Sequence, residues 1–242
     1  MLEKPVTERF ILGVPLGRWQ TNCYLVGDRS TNTAVIIDPG EGATAVVNEL
    51  LSNLELDCEA ILLTHGHIDH LWSIPELARE HDAVVLLHPE DRWLFDNPAA
   101  TFGAPVEALA EQFGLTWEAP TQWLRPITDR ETLRYAGTTF TVAHTPGHTP
   151  GSVTFLLDDL AGTPLTFALA SNDTTPESVL FSGDLLFAGS VGRTDFPRGS
   201  TTDLLNSIRE RVLSLADETL VLAGHGPDTT VGDERRSNPF LR

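Results

Sequence analysis

Lysine is almost absent from this chain of 242 residues: Lys4 stands alone, and arginine supplies the other cations. Acidic residues leave a formal net charge of −18. That field repels a phosphate backbone, so nucleic acid is a poor candidate partner and solubility is the simplest use of the excess acid. Cysteine is scarce as well. Cys23 and Cys58 make no disulfide framework, and their apolar, strand-like neighbours mark them as small buried thiols. No stretch approaches the roughly 18 consecutive apolar residues of a membrane span. The start, Met1–Pro5, lacks the apolar core of a signal peptide. A cytoplasmic protein with no membrane partner is expected. No repeat at solenoid spacing and no low-complexity run breaks the pattern. With 41% hydrophobic and 21% charged residues the composition is that of an ordinary globular chain, long enough for one large α/β domain or two small ones.

Histidine, by contrast, is concentrated. Thr64–His70 reads T-H-G-H-I-D-H and holds three of the eight histidines, directly after the apolar run Ala60–Leu63. Such a run, bounded by small polar residues, reads as a buried strand, and α/β folds place their sites on the loops leaving strand carboxyl ends. Imidazole and carboxylate together suit zinc, iron or manganese. Four such groups exceed what one catalytic metal usually takes from a single loop. The spacing points His65 and His67 to one ion and Asp69 and His70 to a second. A solvated polar loop is the bland alternative.

Around this loop the apolar pattern predicts strands at Phe10–Val14, Asn22–Gly27 and Ala34–Asp38, then a helix over Ala43–Asn53. A second helix follows over Ser73–His81, with Ser73 as N-cap and Pro75 in the first turn, and a strand at Val84–Leu87. This is the order of a sheet covered by helices. Later strands at Thr138–Ala143, Ser152–Leu157, Val179–Ser182 and Leu220–Ala223 bracket a helix at Thr202–Leu215. Strand ends near 64, 144, 184 and 225 each deliver a histidine or an aspartate, which points to one shared site at a sheet edge.

Other stretches are less decided. The aromatics scattered through 89–130 either anchor a long excursion to the core or line a groove, with anchoring preferred. Residues 158–178 are polar and rich in turn formers, and read as a surface insertion. Asp38, at a strand end, is either a turn residue or a carboxylate holding the histidine loop from behind. His81 ends a helix and fits a surface role there. His88 and His144 read as packing or supporting residues outside the ligand set.

At this point the chain resembles the metallo-β-lactamase superfold. T-H-G-H-I-D-H, P-G-H (Pro146–His148), S-G-D (Ser182–Asp184) and G-H-G (Gly224–Gly226) match its motif series in order over essentially the whole chain. The resemblance implies one αββα four-layer sandwich spanning 1–242, with two metals at one edge. Carried over residue by residue, His65, His67 and His148 hold one ion, Asp69, His70 and His225 hold the other, and Asp184 bridges them. Within the superfold the chain is most similar to the glyoxalase II-like thioester hydrolases, in their short bacterial form. It shares G-R-T-D-F-P-R-G (Gly192–Gly199), G-H-G-P-x-T-T (Gly224–Thr230) and E-R-x-x-N-P-F (Glu234–Phe240) with that form. It departs from full-length glyoxalase II in two respects: only Gly226–Arg242 follows His225, so the helical glutathione-binding domain is not expected, and no lysine contact to glutathione can be carried over.

The resemblance implies two divalent ions, zinc first, with iron or manganese also accepted by these ligands. A hydroxide held between two such ions would attack a thioester carbonyl, with Asp69 and Asp184 as the catalytic carboxylates that hold the pair. A thiol with a pKa near 8.5 leaves without a dedicated acid. Arg193, Arg198, Arg235 and Arg236 lie in or beside the motifs. Arg193 and Arg235 are the candidates for binding an anionic small-molecule thioester, with structural ion pairing as their alternative use. The competing activity is that of a mononuclear-iron persulfide dioxygenase, whose motifs resemble the G-R-T-D-F and E-R-x-x-N-P segments. Lactone or β-lactam hydrolysis ranks behind both. The net charge disfavours a nuclease, and a flavodiiron-type reductase would need a carboxylate where His67 stands. Acyl group, thiol carrier and oligomeric state stay open.

Overall fold

The structure is a computed structural model describing residues 9–158 and 176–242; the expected surface insertion, 158–178, lies outside the described residues apart from its ends. Three strands open the chain: β1 (Arg9–Leu16), β2 (Thr21–Asp28) and β3 (Thr33–Ile37). Helix α1 (Ala43–Leu54) returns the chain to β4 (Asp57–Leu62). Short α2 (Ile68–Leu71) and α3 (Ile74–His81) lead to β5 (Val84–Leu87). An excursion carrying α4 (Arg92–Asp96) and α5 (Ala108–Phe113) ends in β6 (Leu124–Pro126). These six strands pair in chain order, antiparallel from β1 to β3 and parallel from β3 to β6.

The second sheet contains β7 (Thr132–Tyr135), β8 (Thr138–His144), β9 (Val153–Leu157) and β10 (Val179–Gly183). A small hairpin, β11 (Leu186–Phe187) and β12 (Ser190–Val191), and helix α6 (Thr201–Ser207) precede β13 (Leu220–Ala223), β14 (Thr229–Thr230) and α7 (Val231–Ser237). Its strand order is β14-β13-β10-β9-β8-β7.

Period-2 alternation sorts each strand's side chains into layers. In β3, Val35 and Ile37 face the second sheet, where Phe140, Phe155 and Phe181 meet them, all essentially buried. Their neighbours Ala34 and Ile36 face the opposite way, onto Val47 and Leu51 of α1 and Leu77 of α3. In β10, Leu180 turns outward to Leu204 of α6 and Val231 of α7. Three apolar layers therefore separate four structural ones, the expected αββα sandwich. No helix among the described residues is long and apolar enough to cross a membrane.

The differences from expectation are local. The Thr202–Leu215 helix is α-helical only to Ser207 and continues as a wider turn over Ile208–Val212. Ser73 precedes α3 but does not cap it. The β3–α1 loop passes beside it, and its hydroxyl donates to Gly40 O at 2.6 Å instead. The aromatics of 89–130 divide between the two alternatives: Phe95 is fully buried and Trp117 donates Nε1 to its carbonyl at 2.8 Å, whereas Phe102 stays 44% exposed.

Candidate metal centre

Strand β4 stops at Leu62 and leaves Thr64–His70 at the sheet edge. His67, in extended conformation, immediately precedes α2, which carries Asp69 and His70. The second sheet answers from three strand ends: the loop after β8 brings His148, the end of β10 brings Asp184, and the end of β13 brings His225. All seven residues converge. Ligand atoms of His65, His67 and His148 lie within 4.8 Å of one another, as do those of Asp69, His70 and His225, and those of His65, His70 and Asp184. Asp184 sits between the lobes, 3.4 Å from His70 Nε2 and 3.6 Å from the Nε2 atoms of both His148 and His225.

The hydrogen bonds behind the rings decide where their lone pairs point. His70 Nδ1 donates to Asp38 at 2.9 Å, His148 Nδ1 to Arg193 O at 2.8 Å and His225 Nδ1 to Trp19 O at 3.1 Å. The Thr64 hydroxyl spends its proton on Asp38 at 2.6 Å and so accepts from His65 Nδ1 at 3.0 Å. Each of these four rings is thereby held as the tautomer that turns an Nε2 lone pair inward. His67 differs, presenting Nδ1, which lies 3.1 Å from His65 Nε2 and 2.8 Å from His148 Nε2.

Three converging nitrogens share at most one proton and cannot satisfy one another. His70 Nε2 and Asp184 Oδ1 are both buried and make no hydrogen bond. Buried polar atoms without partners are costly. Divalent cations would satisfy all of them, so the residues fit metal ions. The charge distribution agrees. Burial holds His65 well below its ordinary value, and burial with His148 nearby takes His67 down to about 3, so these two rings are neutral donors. Burial also opposes charge on His70, but Asp69, Asp38 and Asp184 outweigh it and hold that ring well above the histidine range, so that without a metal ion a proton on Nε2 takes the place a cation would fill.

Two carboxylates hold the loops from behind. Asp38, in the left-handed conformation at φ 50° just past β3, accepts from Thr64 N, Thr64 Oγ1 and His70 Nδ1. The other, Asp91, was not singled out from sequence. It is fully buried and accepts from Gly66 N at 2.8 Å, Gly151 N at 2.7 Å and Thr149 Oγ1 at 2.6 Å, which clasps the His65–His67 loop to the His148 loop. Burial raises its pKa, against those three hydrogen bonds. Its only sequence signal is an acid after the strand-ending His88-Pro89, indistinguishable there from a turn residue. Gly224 leaves room for the centre: a Cβ on it would overlap the Asp184 carboxylate and the His70 ring. The sheets are also sewn together here. Asn22 donates Nδ2 to Ala223 O and Gly226 O, and Tyr24 donates its hydroxyl to Ala223 O at 2.7 Å.

A cleft of about 520 Å³ opens on the centre, with Asp69, Asp184, His67, His148 and His225 at its floor. Arg193 lines it, but its guanidinium grips Asp195 through Nε and Nη2 at 2.7 Å each. Arg235 does not line it; it binds the carbonyls of Leu213 and Leu215 and pairs with Asp217. His81 bonds Asn48 at 2.7 Å, and His88 and His144 stack on each other with centroids 4.0 Å apart.

Comparison with known proteins agrees with this fold. The family model described as the metallo-beta-lactamase superfamily matches residues 16–163 and 171–225. The hydroxyacylglutathione hydrolase GloC of Haemophilus influenzae is 36% identical over 94% of this chain and 96% of its own. The B3 metallo-beta-lactamase BLEG-1 superposes with a TM-score of 0.77 at 36% identity, covering 96% of this chain and 99% of its own. TTHA1623, solved in a di-iron-bound form, gives 0.73 at 38% identity, covering 95% and 99%. ETHE1 from Myxococcus xanthus gives 0.70 at 25% identity, covering 95% and 83%.

Proposed function

This chain belongs to the metallo-beta-lactamase superfamily, and from that premise we propose that it is a metal-dependent thioester hydrolase of the glyoxalase II-like type. The observation that carries the reading is the second lobe. Asp69, His70 and His225 form a set of three beside the all-histidine set, with the Asp184 carboxylate facing both. Two lobes sharing one carboxylate suit a pair of divalent ions, His65, His67 and His148 holding one, Asp69, His70 and His225 the other, Asp184 both. Two such ions would supply an activated water at neutral pH and polarise a carbonyl oxygen.

The chain's own residues do the rest. Asp38, Thr64, Arg193 O and Trp19 O fix four imidazoles so that no reorganisation is needed at the moment of reaction. Trp19 and Ile68 line the cleft beside the floor residues. No separate acid is required, because a thiolate is a competent leaving group. The likeness to GloC, a hydroxyacylglutathione hydrolase, at 36% identity supports the thioester over other carbonyl substrates. Arg235 pairs with Asp217 away from the cleft and takes no part in binding.

The test is elemental analysis of protein purified under low oxygen, followed by a thioester panel. Two ions per chain with thioester turnover is the expected result. One iron per chain, with oxygen uptake on a thiol persulfide, would replace this reading by the dioxygenase one.

A further inference from the structure

The wall of the cleft narrows the substrate class. Resting on the thioesterase reading, we propose that the non-reacting part of the substrate is neutral and apolar, and that the anionic tripeptide carrier glutathione is not the preferred thiol. Trp19, Phe102 and Phe196 line the cleft, and Phe113, outside the lining, joins their rings into a chain. Trp19 meets Phe113 at 5.4 Å between centroids, Phe113 meets Phe102 at 6.1 Å, Phe102 meets Phe196 at 6.2 Å, and Phe196 meets His67 at 5.3 Å. Phe102 is 44% exposed at the mouth, and among the described residues only Phe240 is another large apolar side chain left so open. The excursion between β5 and β6 thus delivers an uncovered ring to the reaction site.

Charge points the same way. The one guanidinium among the described residues lining the cleft is Arg193, whose Nε and Nη2 are held by Asp195 while its plane lies on Phe196 at 4.1 Å. A carrier with two carboxylates would have to desolvate them against the rings, which is costly without a partner. A neutral apolar chain that covers Phe102 pays no such cost.

Two measurements on the whole protein test this. Isothermal titration calorimetry compares the thioethers S-hexyl-N-acetylcysteamine and S-hexylglutathione, which cannot be hydrolysed. The neutral compound should bind about tenfold or more tightly, and Phe102→Ala should remove about tenfold of its affinity, since each well-buried methylene contributes about fourfold. Turnover by the metal-loaded enzyme then compares hexanoyl and acetyl thioesters of both carriers, with the neutral hexanoyl compound expected to have the highest kcat/KM. Tighter binding of S-hexylglutathione, or no change in Phe102→Ala, would overturn the inference. Absence of turnover on every thioester would overturn the thioesterase reading itself, and calorimetry still decides the character of the cleft.

Discussion

Two groups of histidines stand at strand ends in this molecule, and they are built for different ends. His88 follows β5 and His144 ends β8; the two rings stack nearly parallel, at 15°. Their nitrogens are spent on the backbone, His144 Nε2 on Pro150 O at 2.8 Å and His88 Nδ1 as acceptor from Glu90 N. The rings of the metal centre instead meet edge to face, with the protons turned outward and the lone pairs inward. No buried orphan atom lies on the stacked pair, whereas His70 Nε2 and Asp184 Oδ1 are orphans in the centre. Proximity of imidazoles does not make a ligand set; the direction of their bound protons does.

The sharpest way to break this contrast is His67→Ala. Hydrolysis should disappear and elemental analysis should find at least one ion fewer, with the circular dichroism spectrum unchanged. Normal activity at normal metal content would refute the ligand assignment. Asp38→Asn probes the outer layer. An amide there can accept from Thr64 or from His70 but not as well from both, and metal affinity at the second lobe should fall about 10–100-fold, read by competition with a chelator. Equal loss at both lobes would mean that Asp38 supports the loop as a whole.

Asp91→Asn removes one acceptor from a clasp between two backbone N–H groups and a hydroxyl. Unfolding in urea should show a loss of about 1–3 kcal/mol, and metal should leave the first lobe before the second. The smallest effect belongs to the stacked pair. Burial, with His144 beside it, holds His88 down to about 4, while in the unfolded chain it titrates near its ordinary 6.5. The unfolded state therefore takes up the proton first as pH falls. The contribution of His88 is full above about 6.5 and is lost between there and about 4, worth about 1–2 kcal/mol given its partial contact with solvent. His88→Leu should flatten that part of the stability profile without changing metal content.

How far the sequence foretold these features depended on their range along the chain. The strands, α1 and the histidine loop were legible because alternation and turn residues are local signals. The convergence of His148, Asp184 and His225 was legible only because each follows an apolar run. Strand β7 was missed: Thr132–Tyr135 has one buried side chain, Leu133, too little to stand out as a strand. Helix α7 was missed because Val231–Ser237 is mostly charged, and its start is marked only by the Thr230 hydroxyl accepting from Asp233 N. Asp91 and Phe102 were out of reach for another reason. Their significance lies in contacts to residues 25 to 94 positions away, 66, 149, 151 and 196 among them, which no periodicity encodes.

The stitching of Asn22 and Tyr24 to the end of β13 has a consequence for how the molecule breathes. Those hydrogen bonds and the candidate ligands occupy one rim of the sandwich, while the phenylalanine layer lies deeper between the sheets. An opening that starts at this rim separates His70 from His225 before it exposes Phe140 or Phe155. This rim and the core then belong to different cooperative units, and a cation that draws on both sheets would act as a clasp on the outer one. Amide exchange near Asn22 and Gly224 should slow on metal uptake far more than exchange in β9.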